Sequence, residues 1–182
     1  EQLAIGVARI DDGHPGLVEG EMAFDERERA AADRAEADHH DGAVDPRVQQ
    51  AVHRIQGAEA TGRLVAQARA AGFESVNFDL IYGLPYQREA SFARTLDAVL
   101  DLAPDRLALY SYANVTWLAK QQRGFERKDL PDAATKLRIF LLAIRRLLEA
   151  GYRFIGLDHF ARPEDELNQA LADRTLRRNF MG

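Results

Sequence analysis

Four short runs of strand-forming residues, separated by helical patterns, constrain this chain more than any other feature. They are Leu3–Val7 (LAIGV), Ser75–Tyr82 (SVNFDLIY), Leu107–Tyr112 (LALYSY) and Tyr152–Leu157 (YRFIGL). Each has the near-continuous apolar character of a strand buried on both faces. The intervals read as helices. Asp45-Pro46 offers an N-cap and a first helical residue ahead of RVQQAVHRI, and Ala58–Ala71 stops on Gly72. Ala90–Leu102 stops before Pro104. Asp132–Ala150 sets Leu137, Phe140, Leu141, Ile144, Leu147 and Leu148 at helical spacing and stops on Gly151. Strand and helix alternating at these lengths predict an α/β fold with parallel strands joined by right-handed crossovers.

With 182 residues, 46% of them hydrophobic, the chain has enough apolar mass for one domain with a real core. No apolar stretch approaches the ~20 residues that span a bilayer. The opening residues EQLAIGVARIDDGHPG lack the basic head and small-residue cleavage site of a signal peptide. A cytoplasmic protein with no membrane partner is therefore expected. A net charge of -5 gives no general attraction to nucleic acid. The absence of cysteine excludes disulfides, thiolate zinc sites, cysteine nucleophiles and a cysteine-held iron–sulfur cluster within these residues.

The charge is concentrated. Residues 9–45 hold 12 acids and 4 bases, together with His14, His39 and His40. Their pattern permits a solvated helix over roughly Met22–Asp38 but supplies few large hydrophobes to dock it. His39-His40-Asp41 could be a metal site, yet adjacent residues do not share a helix face, and a solvated polar cluster accounts for them as well. No metal ligand is assigned.

In α/β sheets and barrels, ligands gather at the carboxyl ends of the strands. The polar residues of this chain fall there. The second run delivers Asp79 and then Tyr82-Gly83-Leu84-Pro85, the third Ser111-Tyr112-Ala113-Asn114, and the fourth Asp158-His159. Asp79 sits inside the apolar segment NFDLIYGLP, where an unpaired carboxylate would be costly; a salt bridge or a bound ligand could satisfy it. His159 could act as general acid or base with Asp158 as partner, although neighbours in an extended segment point to opposite faces. A structural histidine is the alternative. Tyr82, Tyr86, Tyr110, Tyr112, Trp117 and Phe160 fall near the same rim, as core, wall or lining of a pocket for a flat ligand. There is no P-loop, G-x-G-x-x-G or nucleophile-elbow motif.

The ordered blocks DPRVQQAVHR (45–54), GFESVNFDLIYGLP (72–85), SFARTLDAVLDL (91–102), PDRLALYSYA (104–113), KDLP (128–131) and GYRFIGLDHFARPEDEL (151–167) extend to Arg178-Asn179-Phe180. Together they resemble the oxygen-independent coproporphyrinogen III oxidases, radical S-adenosylmethionine enzymes. The resemblance covers residues 44–182 and extends to Leu3–Val7. It implies part of a (β/α) radical-SAM partial barrel with parallel strands, divided into a barrel strand (1–7), an acidic insertion or disturbed segment (8–43) and the C-terminal part of the barrel (44–182).

The activity implied is oxidative decarboxylation of coproporphyrinogen III to protoporphyrinogen IX in haem biosynthesis. One electron from a four-iron four-sulfur cluster cleaves S-adenosylmethionine, and the resulting radical takes hydrogen from substrate propionates. By position in the matching blocks, Arg54 and Asp79 correspond to residues that contact S-adenosylmethionine, and Ala113 to one whose backbone lies against it. Arg54 would pair with the cosubstrate's carboxylate and Asp79 would accept hydrogen bonds from its polar groups. The resemblance also implies an electron donor such as flavodoxin or ferredoxin, and a monomer in the full-length form. It assigns no catalytic residue here.

Two departures stand out. The family's cluster cysteines, C-x-x-x-C-x-x-C, lie upstream of everything matched here, so the chain reads as an internal piece of a larger enzyme or a decayed copy. Where the family continues its strand with a cosubstrate-contacting glutamine, this chain has Ala8 and then the acidic segment. Two alternatives accompany the oxidase reading: a haem-chaperone-like paralogue without radical chemistry, and an unrelated α/β-barrel enzyme using Asp79 and His159 for acid–base work.

Overall fold

A computed structural model describes residues 6–10, 46–51, 57–114 and 125–177. Arg54, Trp117, residues 178–180, the helix expected over Met22–Asp38 and the three histidines of the acidic segment lie outside the described residues. In chain order the elements are β1 (Gly6–Ile10), α1 (Pro46–Ala51), α2 (Ala58–Ala70), β2 (Val76–Tyr82), α3 (Glu89–Leu102) and β3 (Arg106–Ser111). A 3-10 turn (Arg127–Asp129) precedes α4 (Ala133–Glu149), β4 (Arg153–Gly156), β5 (His159–Ala161) and α5 (Glu166–Ala172).

Local chemistry sets the helix ends. Pro46 opens α1, where a missing backbone N–H costs nothing. Ser91 Oγ closes the start of α3, accepting from Arg88 N at 3.0 Å and donating to Arg88 O at 2.9 Å. Asp132 caps α4 by accepting from Thr135 N at 2.7 Å, and the chain leaves that helix through Gly151 at φ 90°.

The five strands form one sheet in the order β1-β2-β3-β5-β4. β2 and β3 are parallel, with Asp79 opposite Ala108 and Ile81 opposite Tyr110. The expectation of parallel strands holds for this pair and for the direction of β4, but two features of the sheet differ. β5 lies between β3 and β4 and is antiparallel to both. Leu157, at φ 54°, and Asp158 reverse the chain directly after Gly156, so HFA folds back and takes the place beside β3. β1 pairs with β2 in the antiparallel sense, Gly6 opposite Asp79, and extends to Ile10.

One face of the sheet carries the core. Val76, Phe78 and Leu80 of β2, Leu107 and Leu109 of β3, and Phe160 of β5 are buried beneath Phe92, Leu96 and Val99 of α3 and Ile139, Ala143 and Leu147 of α4. Asn77, Asp79 and Ile81 alternate onto the opposite face. The expectation that β2 is buried on both sides is corrected by this alternation: Asp79 is half-buried and faces away from the core.

The amino ends of the strands are tied down by polar contacts. Asp105 accepts from Val76 N at 2.7 Å and pairs with Arg69 at 2.8 Å. Tyr152 Oη and Arg162 Nε both donate to Pro104 O, at 2.5 and 3.1 Å. Arg106 holds Asp165 and Glu166 at the start of α5, each at 2.8 Å. This end is braced for stability, which leaves the carboxyl ends for function.

Candidate functional site

The turn after β2 is built by one side chain. Gln87 Oε1 accepts from Gly83 N at 2.6 Å and Leu84 N at 3.3 Å, while Gln87 Nε2 donates to Ile81 O at 3.3 Å. Gln87 is itself buried, so the YGLP segment is closed by a satisfied amide clasp. Gly83 has φ 84°, and a Cβ there would come within 2.6 Å of Lys136 Cε. The positive φ favours glycine, and a side chain there would also displace the flexible end of Lys136.

Lys136 joins the two parallel strand ends. It reaches from the first turn of α4, donates from Nζ to Tyr112 O at 2.8 Å, and lies 5.8 Å from the centroid of the Tyr82 ring. Tyr82 stacks on Phe140 at 5.2 Å, and Tyr112 N donates to Tyr82 O at 2.8 Å. The backbone leading into Ala113 is thus fixed from two sides.

On the face away from the core, Asp79 accepts a hydrogen bond from Asn77 Nδ2 at 3.1 Å and forms no ion pair among the described residues. Burial raises its pKa above the ordinary value, while the Asn77 bond and the nearby His159 act in the opposite direction. The strand register sets Asp79, Ala108 and His159 in line across β2, β3 and β5, with alanine as the floor between the two ionisable groups. Tyr110 meets His159 edge-on, ring centroids 6.2 Å apart. Its hydroxyl pKa is raised by burial, then by Asp79 and Asp158. This face can accept hydrogen bonds from a polar ligand at Asp79, beside the Tyr110 and His159 rings.

Asp79 and Ala113 thus stand on adjacent parallel strands, Asp79 within β2 and Ala113 just past the end of β3. Asp158 accepts from Leu109 N at 2.8 Å through its backbone oxygen, while His159 pairs with Ala108 and its ring meets Tyr110. Of the rim aromatics, Phe160 belongs to the core. Reading the sequence did not single out Gln87, Lys136 or Asn77. Gln87 lies four residues beyond Gly83 and is recognisable only once the turn is known; Lys136 reads as one more solvated helix lysine.

No protein-family model matches the chain. Oxygen-independent coproporphyrinogen III oxidase of Pseudomonas aeruginosa is 48% identical over 138 residues, covering 76% of this chain and 30% of the relative. That of Thermostichus vulcanus is 49% identical over 138 residues, covering 42% of the relative. That of Salmonella typhimurium is 50% identical over 135 residues, covering 30% of the relative. A solved structure of coproporphyrinogen III oxidase from Escherichia coli, described as a radical SAM enzyme, superposes with a TM-score of 0.73 at 46% identity, covering 76% of this chain and 32% of that one. The chain spans between 30% and 42% of the length of these curated relatives.

Proposed function

We propose, for a chain that belongs over three quarters of its length to the oxygen-independent coproporphyrinogen III oxidases, that it forms the cosubstrate-facing sheet of an enzyme of that activity. The reaction is oxidative decarboxylation of coproporphyrinogen III to protoporphyrinogen IX, in porphyrin biosynthesis and in the cytoplasm, with an electron-donor protein as partner. The observation that carries this reading is the position of Asp79, a carboxylate without an ion pair among the described residues, half-buried on the sheet face away from the core. Residues 44–182 are read as the C-terminal part of the barrel.

The residues present suit S-adenosylmethionine. Asp79 would accept from its polar groups and Arg54 would pair with its carboxylate, while the backbone of Ala113, steadied through Tyr112 by Lys136, would lie against it. They do not suit the four-iron four-sulfur cluster. The chain contains no cysteine, and among the described residues no group of three or more His, Asp and Glu could hold a metal. The part played by this chain is therefore binding and orientation, with Asp79 half-buried so that a polar contact there is stronger than one in water.

A chimera tests the assignment. The matching third of the Escherichia coli oxidase is replaced by residues 44–182, and anaerobic formation of protoporphyrinogen IX is followed by oxidation and fluorescence. Product formation that is lost with Asp79→Ala is expected. A folded, cluster-loaded chimera that leaves coproporphyrinogen III unchanged would refute the activity.

A further inference from the structure

We propose that Tyr112 and Asn114 form a ligand-binding pair at the carboxyl end of β3, for a ligand that presents N–H or O–H donors. Buried polar atoms nearly always have hydrogen-bond partners. Here Tyr112 Oη and Asn114 Oδ1 are both buried, and neither has one among the described residues. They flank Ala113, just past the last residue of β3.

Looseness does not account for them. Tyr112 N donates to Tyr82 O at 2.8 Å, Tyr112 O accepts from Lys136 Nζ at 2.8 Å, and the Tyr112 ring packs edge-on to Phe125 at 6.2 Å. Burial pushes the pKa of the hydroxyl above its ordinary value, as expected of a phenol withdrawn from water. A firmly held segment that leaves two polar atoms unsatisfied retains a cost that a bound ligand removes.

The atoms define the ligand's chemistry. An amide oxygen only accepts, so the group facing Asn114 must donate; the tyrosine hydroxyl can do either. An amine, amide or hydroxyl satisfies this pair, whereas a bare carboxylate or phosphate leaves Asn114 unpaired. S-adenosylmethionine carries such donors on its amino group, ribose and adenine, and the identity of the ligand rests on the function proposed above.

The test uses the whole chain with Tyr112→Phe, which keeps the ring, and Asn114→Leu, which keeps approximate size. Thermal melting is measured without ligand, and S-adenosylmethionine binding by calorimetry. Removing an orphaned polar atom should raise each variant's melting temperature by a few degrees. Losing its bond to the ligand should weaken binding about tenfold. A lower melting temperature in Tyr112→Phe, or a higher one with unchanged affinity, overturns the pair. If the parent chain does not bind S-adenosylmethionine, the proposed cosubstrate falls, and titration with adenosine and with methionine decides the pair: binding that either variant weakens supports it, and no binding of either compound overturns it.

Discussion

Asp79 is the residue on which burial and function pull against each other. Desolvation raises the Asp79 pKa above 3.8, so the folded chain holds this proton more tightly than the unfolded chain does. That preference stabilises the fold below pH 3.8 and is lost as pH rises through the shifted value. Asp79→Asn keeps the bond from Asn77 and carries no charge at any pH. Its stability should therefore approach that of the parent below pH 3.8 and exceed it increasingly toward neutrality, in melting curves taken across the range. A difference that shrinks as pH rises would mean that a cation holds the carboxylate ionised. Among the described residues, the other groups facing Asp79 are Asn77 on its own strand, Tyr110 on β3 and His159 on β5; of these, His159 is the one that lowers its pKa by charge.

At the scale of elements, two tight spots carry the architecture. Gly83→Ala places a Cβ against Lys136 at a φ of 84°, and should destabilise by about 1–3 kcal/mol in denaturant titration. A neutral substitution would show that the lysine and the turn yield together. Arg106 joins β3 to α5 through Asp165, both largely buried. Arg106→Met should cost on the order of 3–5 kcal/mol by leaving Asp165 uncompensated, with early loss of the α5 amides in hydrogen exchange. Uniform exchange would contradict this role.

The helices α1 to α4 were legible in the sequence because their ends are local, Asp132 opening α4 and Gly72, Gly151 and the Pro104 boundary ending helices through neighbouring backbone, whereas the short α5 was not. The strands β2, β3 and β4 were legible from apolar runs. The sheet order was not, because the Leu157-Asp158 reversal depends on a leucine at positive φ, which no composition rule anticipates. At the candidate site, Asp79 was visible as an acid in an apolar run. Lys136 and Gln87 were not, since each reaches its partners through a fold that brings separate strand ends together.

Across the whole molecule, the described part is a sheet with α2, α3 and α4 contributing to the core on one face, whose other face presents Asp79, Tyr110 and His159. Among the described residues, α4 also leaves Leu137 and Leu141 exposed, at 55% and 54%. Large apolar side chains exposed along one helix, together with a sheet edge that no strand pairs among the described residues, favour association. Replacing both leucines with glutamate should lower concentration-dependent light scattering of the isolated chain without lowering its melting temperature. Unchanged scattering would trace any association to the sheet edge.

The proposed function rests on binding of S-adenosylmethionine by the sheet face that bears Asp79. Its most direct test is calorimetric titration of the cosubstrate into the chain and into Asp79→Ala, with circular dichroism to show that both are folded. Saturable binding by the parent and loss of binding in the variant are expected. Equal binding by both, or none by a folded parent, would contradict it.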